Sequence, residues 1–413
     1  MNTFSYLFLL TFAAVTATQF WLAKRQAAYV LANRENVPTA FSETISLSAH
    51  QKAADYTLAK SKFADIERAL GVLLLLFLTV GGGINAIFEF CTNRIDSPLI
   101  AGVSAIALLT LLMSLFELPS SWYETFVLEE KFGFNKNTPA QFFKDEIMQL
   151  ALGAVIGLPI LSLILWVMDT LGSTWWFWAW AILMSFSLLM SWLFPTVIAP
   201  LFNKFTPMED GALKTRISGL LERCGFNSQG IFIMDGSKRS GHGNAYFTGL
   251  GNNKRIVFYD NLVASLDDEE LEAVLAHELG HFKCKHVVKM LITTSITTLI
   301  GFALLGWLID KPWFFNGLGV EQASNAAALL LFTLITPIFT FFFQPISAYF
   351  QRKFEFEADN FAAQHAQASC LISGLVKLYE ENASTLTPDP LYASFYYSHP
   401  PAAIRIDHLN SRT

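Results

Sequence analysis

Seven stretches of this chain are apolar for long enough to cross a bilayer, whose hydrocarbon core is roughly 30 Å thick and takes about 20 helical residues. They lie near residues 4–23, 69–90, 98–118, 147–169, 175–199, 288–309 and 325–349. Backbone amides in hydrocarbon must be satisfied within their own segment, so each run is expected to be a helix. Composition agrees: of 413 residues 53% are hydrophobic and only 15% charged, with a mean hydropathy of +0.40. The expected class is a mainly α, polytopic membrane protein. A net charge of −6 offers no basic surface for nucleic acid, and nucleic-acid binding is not expected.

The first run, Phe4 to Ala23, has no basic residue before it and no small-residue cleavage site after it. It reads as a retained anchor rather than a cleaved signal peptide. Trp175, Trp176, Trp178 and Trp180 open the fifth run as an aromatic belt, and Thr170 to Thr174 is short enough to make runs four and five a tight hairpin. Lysines and arginines concentrate in alternate loops, which by the positive-inside rule puts the N-terminus outside and the loop after the fifth run in the cytoplasm. Glu43 to Leu70 is polar and helix-prone, and is expected to be a helical cytoplasmic loop.

Residues 200–287 differ in character. Ile231–Met234, Ala245–Thr248 and Arg255–Tyr259 are short β-branched and aromatic runs broken by Gly and Asn, as in a small sheet. Ser265 stands three residues before Asp268, the spacing of a capping box at a helix start. The chain therefore divides into a membrane domain over 1–200 and a second domain over 201–413 that contains the last two crossings. Cys91, Cys224, Cys284 and Cys370 are scattered without paired spacing, so free thiols are expected, Cys284 as a buried structural one.

The helix after Ser265 carries His277-Glu278-Leu279-Gly280-His281. Two imidazoles four residues apart share a helix face and can reach one Zn²⁺, with Glu278 placed to take a proton from metal-bound water. A catalytic site needs a third protein ligand. His286, five residues past His281, would be turned about 140° further round a continuous helix, and is excluded. Glu355 lies just past the seventh run as His281 lies just before the sixth, so a membrane hairpin returns it to the same depth on the same side. Asp359, on the same helical face, is a candidate to accept a hydrogen bond from a ligand histidine. Glu357 would point away as a surface charge without function.

These residues resemble the M48 family of zinc metallopeptidases, and its membrane branch, the Ste24-type CAAX prenyl proteases. The likeness extends from Phe126–Asn135 and Ala199–Pro207 through Gly243–Phe247 and HELGH to Arg352–Asp359 and Ser398–Pro401. It implies one zinc, seven helices around a chamber, and an inserted gluzincin-type peptidase domain. It implies His277, His281 and Glu355 as ligands, Glu278 as general base, and Asn244 and His399 at the cleft, His399 donating to the oxyanion. Ala245 follows Asn244 into a run, 244–250, that is either an edge strand for an extended peptide or an ordinary core strand. Arg405 either pairs with a carboxylate or meets the substrate's C-terminus. The expected substrate is a peptide or membrane-associated protein, lipidated or not.

Short outer loops and the absence of an ER-retention tail point to a bacterial inner membrane, with the catalytic site on the cytoplasmic side. Two other classes were weighed: a non-catalytic chamber or transport scaffold for lipid or peptide, and a zinc deaminase, whose cysteine-rich ligand set is missing here.

Overall fold

The computed structural model describes residues 1–226, 230–248 and 255–411. Among the described residues six helices are long and apolar enough to cross a bilayer: Thr3–Asn33, Pro98–Phe132, Pro139–Thr170, Gly172–Phe202, His286–Leu308 and Asn325–His365. A bent pair, Leu47–Leu78 and Gly83–Thr92, meeting at 51°, passes the same test together and makes a seventh if it is one span. The bend follows from Gly81-Gly82-Gly83: Gly82 takes φ +78°, a left-handed conformation that ends a helix at little cost. The second crossing is thus broken near its middle rather than straight. Residues 47–70 are helical, as expected, and run without interruption into the apolar part of the same helix, Leu47–Leu78.

Without a hydrophobic drive between lipid-embedded helices, close packing at small residues holds the bundle together. A Cβ on Gly102 would lie 2.7 Å from the Cβ of Ala326, so the third and seventh crossings touch almost backbone to backbone. Phe8, Leu22, Ile84 and Leu331 fill the centre at 0% exposure. The aromatic belt is split by the helical turn. Trp175 is buried against Phe302 and the Trp180 indole donates to the Ser295 carbonyl at 2.9 Å, whereas Trp178 stays exposed. Gly172, at φ +55°, makes the short hairpin turn before them.

The sheet has four strands: β1 Phe205–Pro207, β2 Ile231–Met234, β3 Ala245–Thr248 and β4 Arg255–Tyr259. Their order is β1-β2-β4-β3, with β2 and β4 parallel and the outer pairings antiparallel. β1, three residues ending in proline, was not read from sequence. Among the described residues β3 lies at a sheet edge; Gly249 and Leu250, which the sequence reading included in that run, lie outside the described residues. Ile256 and Phe258 of β4, Ile217 and Leu220 of the Ala212–Arg223 helix, and Leu271, Leu275 and Leu279 form a core that seats the HELGH helix. All four cysteines are free, and Cys284 is half-buried rather than fully inside.

Candidate metal centre

The HELGH helix runs Asp268–Lys283. Its cap is Asp267, not Ser265: the Asp267 carboxylate accepts from the Glu269 and Glu270 amides, and Glu270 accepts from the Asp267 amide, completing the capping box two residues later. Ser265 closes the preceding helix and donates to the Leu262 carbonyl. A carboxylate suits the positive end of the dipole better than a hydroxyl, and Asp268, Glu269 and Glu270 add to it in the first turn.

Opposite stands the Gln344–His365 helix, continuous with the last crossing after a tight turn at Phe341–Phe343. It carries Glu355 to the two imidazoles. Glu355 Oε1 lies 3.2 Å from His281 Nε2, Glu355 Oε2 lies 3.5 Å from His277 Nε2, and the two Nε2 atoms are 3.2 Å apart. Glu355 is 4% exposed, and its Oε2 is buried with no hydrogen-bond partner. Three lone-pair donors converging around an unsatisfied buried oxygen form an arrangement that a cation satisfies and hydrogen bonds alone do not.

Behind this group the charges are tightly paired. His277 Nδ1 donates to Asp359 at 2.8 Å, and Asp359 in turn takes a two-pronged contact from Arg405, at 2.9 Å from Nε and 2.5 Å from Nη2. Burial and the nearby Arg405 charge press down on the His277 pKa, but its contacts with Asp359 and Glu355 outweigh them and raise it to about 9. Asp359 is wholly buried and Arg405 is 5% exposed. Of the two partners expected for Arg405, a carboxylate is the one present, and the residue also lines the active-site cavity.

Glu278, Asn244, Ala245 and His399 line a cavity of about 260 Å³ beside His277. Burial pushes the Glu278 carboxyl up, against the opposing pull of His277 and His281. His399 stays open to the cavity, its Nε2 3.4 Å from Glu355 Oε1 and its Nδ1 2.9 Å from Ser398 Oγ. Asn244 sits at the start of β3 and its Oδ1 accepts from the Ala245 amide at 2.8 Å.

Some members of the site carried no sequence signal for this place. Tyr379 and Asn382 line the same cavity from the Ala368–Glu381 helix and the turn after it. Arg352 donates to the Tyr397 carbonyl at 2.8 Å and so fixes the turn that leads into His399. Two readings from sequence need correction. The helix does not continue through His286: Lys285 takes φ +57°, a new helix starts at His286, and the His286 ring turns back onto His281. Glu357 is no idle surface charge either, since it accepts from His286 at 2.9 Å and pairs with Lys289 at 3.3 Å.

Two family models cover almost the whole chain: the CAAX prenyl protease N-terminal region with five membrane helices over residues 26–204, and peptidase family M48 over 207–413. The chain belongs to the M48 peptidase family. It is 34% identical to the CAAX prenyl protease 1 homolog of Dictyostelium discoideum, over 95% of this chain and 93% of that protein. It is also 34% identical to CAAX prenyl protease 1 of Saccharomyces cerevisiae, over 94% and 91%, and 31% identical to the Homo sapiens homolog, over 95% and 92%. The crystal structure of S. mikatae Ste24p superposes with a TM-score of 0.92 at 32% identity, covering 99% of both chains. This M48 member is thus a membrane-embedded metallopeptidase with the Ste24 architecture, and the scaffold reading is not favoured.

Proposed function

We propose that this chain is a zinc endopeptidase that cleaves peptides presented from the membrane, prenylated CAAX-type peptides among them. The convergence of His277, His281 and Glu355 carries the reading. Tetrahedral zinc with Zn–N near 2.0–2.1 Å sets neighbouring ligand atoms about 3.3 Å apart; here the two Nε2 atoms are 3.2 Å apart, His281 Nε2 lies 3.2 Å from Glu355 Oε1 and His277 Nε2 lies 3.5 Å from Glu355 Oε2. One ion per chain, held by those residues, fits the donor set. When bound, zinc supplies Lewis acidity, polarising a carbonyl and making water a stronger acid.

The remaining roles fall to the chain's own groups. Glu278, its carboxyl pushed up by burial, is suited to take a proton from water and return it to the leaving amine. His399 can donate to the oxyanion. Asp359 fixes the hydrogen of His277 on Nδ1, and Arg405 keeps Asp359 ionised. Ala245 begins and Asn244 immediately precedes β3, an edge strand among the described residues, whose outer side can take an extended peptide.

Cavity shape supports a membrane-borne substrate. Through Gly243, Asn244, Tyr379 and Asn382 the active-site cavity adjoins a larger one of about 940 Å³, walled by Tyr56, Lys60, Phe63 and Glu67 of the second crossing. Glu67 also borders an apolar cavity of about 370 Å³ lined by Leu70, Leu74, Leu78 and Phe116. A peptide in the first with an apolar tail toward the last would span them. The charge pattern of the loops supports a cytoplasmic active site and an outside N-terminus, and the short outer loops support a bacterial inner membrane.

The test is hydrolysis by detergent-purified protein of one peptide with and without a farnesyl group on its CAAX cysteine. Cleavage of the farnesylated form with the higher kcat/KM supports the reading; equal rates would remove the lipid from it, and no cleavage of either by zinc-loaded protein would overturn it.

A further inference from the structure

His281 is held from behind as well as in front. Its Nδ1 lies 3.0 Å from Nδ1 of His286, whose Nε2 lies 2.9 Å from Oε2 of Glu357. The Lys289 ammonium lies 3.3 Å from that same oxygen. His286 is 1% exposed and its ring lies flat on Phe354, with centroids 4.3 Å apart and planes within 13°. Such packing leaves the ring one orientation. The turn that brings it there is itself unusual: Lys285, without a glycine's freedom, takes φ +57°. Backbone held in a sparsely populated region persists only where the surroundings dictate it.

The order of hydrogens follows from elementary bookkeeping. A neutral imidazole has one N–H and one lone pair. With the Nε2 lone pair of His281 directed to the cation site, its hydrogen is on Nδ1 and must be donated to His286 Nδ1. That leaves the His286 hydrogen on Nε2, where it meets the Glu357 carboxylate. Each atom in the row has one role, and Lys289 compensates the terminal charge.

We infer that His286 and Glu357 are positioning residues for the metal centre, doing for His281 what Asp359 does for His277. This rests on the ligand set proposed above. One other use of the same side chains is geometrically open, since Cys284, His286 and Glu357 lie within 4.8 Å of one another and could hold a second cation. Two observations oppose it: Glu357 already has an ammonium partner, and His286 has no lone pair left once Nδ1 accepts from His281.

The experiment is zinc affinity of full-length protein in detergent, by chelator competition, together with the d–d spectrum of the cobalt-substituted form. His286→Phe keeps the stacking volume but removes the acceptor, and should weaken zinc binding roughly 10- to 100-fold, the usual effect of losing a partner behind a ligand. His286→Asn, whose Oδ1 can still accept, should recover most of that loss. Glu357→Ala, at a half-exposed position that folding tolerates, should weaken binding in the same direction and shift the cobalt bands. Wild-type zinc affinity and an unchanged cobalt spectrum in His286→Phe and Glu357→Ala would overturn the inference. So would two zinc equivalents in the wild type with one lost in Cys284→Ala. Glu355→Ala measured alongside separates the two levels: retention of zinc there would refute the ligand set itself.

Discussion

Gly280 and Ala358 meet with no room between them: a Cβ on Gly280 would lie 2.8 Å from the Cα of Ala358 and 2.9 Å from its carbonyl oxygen. This contact lets the HELGH helix approach closely enough for the residue three positions before Ala358, Glu355, to reach both imidazoles. Gly280→Ala must push backbone, not a flexible side chain. Overpacking of this kind costs about 1–3 kcal/mol, against about 1 kcal/mol gained in helix propensity. A lower Tm and weaker zinc binding are expected; an unchanged zinc affinity would show that the helix spacing does not set the site.

Arg405 neutralises a wholly buried carboxylate, Asp359. Removing one partner of such a pair strands the other charge, at about 3–5 kcal/mol. Arg405→Met is therefore expected to lower denaturant stability by that order and to reduce zinc content through His277. A variant of wild-type stability whose only defect is a raised KM for peptide would instead make Arg405 a substrate contact.

Zinc loading is expected to depend on pH through His277. Its metal-free pKa is raised, to about 9, so at pH 7 the ring is protonated and must lose that proton to become a ligand. Sign follows directly: affinity rises with pH up to about 9 and then levels off as far as this group is concerned. Calorimetry in buffers of different ionisation enthalpy should find about one proton released per zinc at pH 7. Zero release would mean the ring is already neutral.

Lys285 offers a stability test that leaves the chemistry alone. A left-handed conformation costs a residue with a Cβ about 1–2 kcal/mol, and Lys285 adopts one at φ +57°. Lys285→Gly is expected to raise stability by up to about 1 kcal/mol with zinc affinity unchanged, whereas Lys285→Val should lower both. Thermal unfolding of the three proteins decides it.

Much of this was legible in the sequence because the determining features are local or periodic. Six of the seven apolar runs are single spanning helices among the described residues and the other is a bent pair, and the His277/His281 spacing puts two rings on one helix face. Glu355 could be paired with them because a membrane hairpin has only one way to return. Features that failed to show are those in which one residue overrules its neighbours. A capping box read at Ser265 sits at Asp267, since a carboxylate outcompetes a hydroxyl at the dipole. His286 was excluded on helical phase, yet the phase is reset at Lys285. Glu357 seemed idle because its partners, His286 and Lys289, are distant in sequence. Tyr379 and Asn382 line the site through tertiary packing alone, which no motif encodes, and the brace from Arg352 to the Tyr397 carbonyl joins residues 45 apart in sequence.

Metal analysis of Glu355→Ala and Glu278→Ala, purified in parallel with wild type, goes most directly to the centre of the matter. Glu355→Ala should come off the column without zinc, while Glu278→Ala should keep a full equivalent and have lost peptide hydrolysis. Equal zinc in both, or hydrolysis at the wild-type rate by Glu278→Ala, would contradict the assignment of ligand and base.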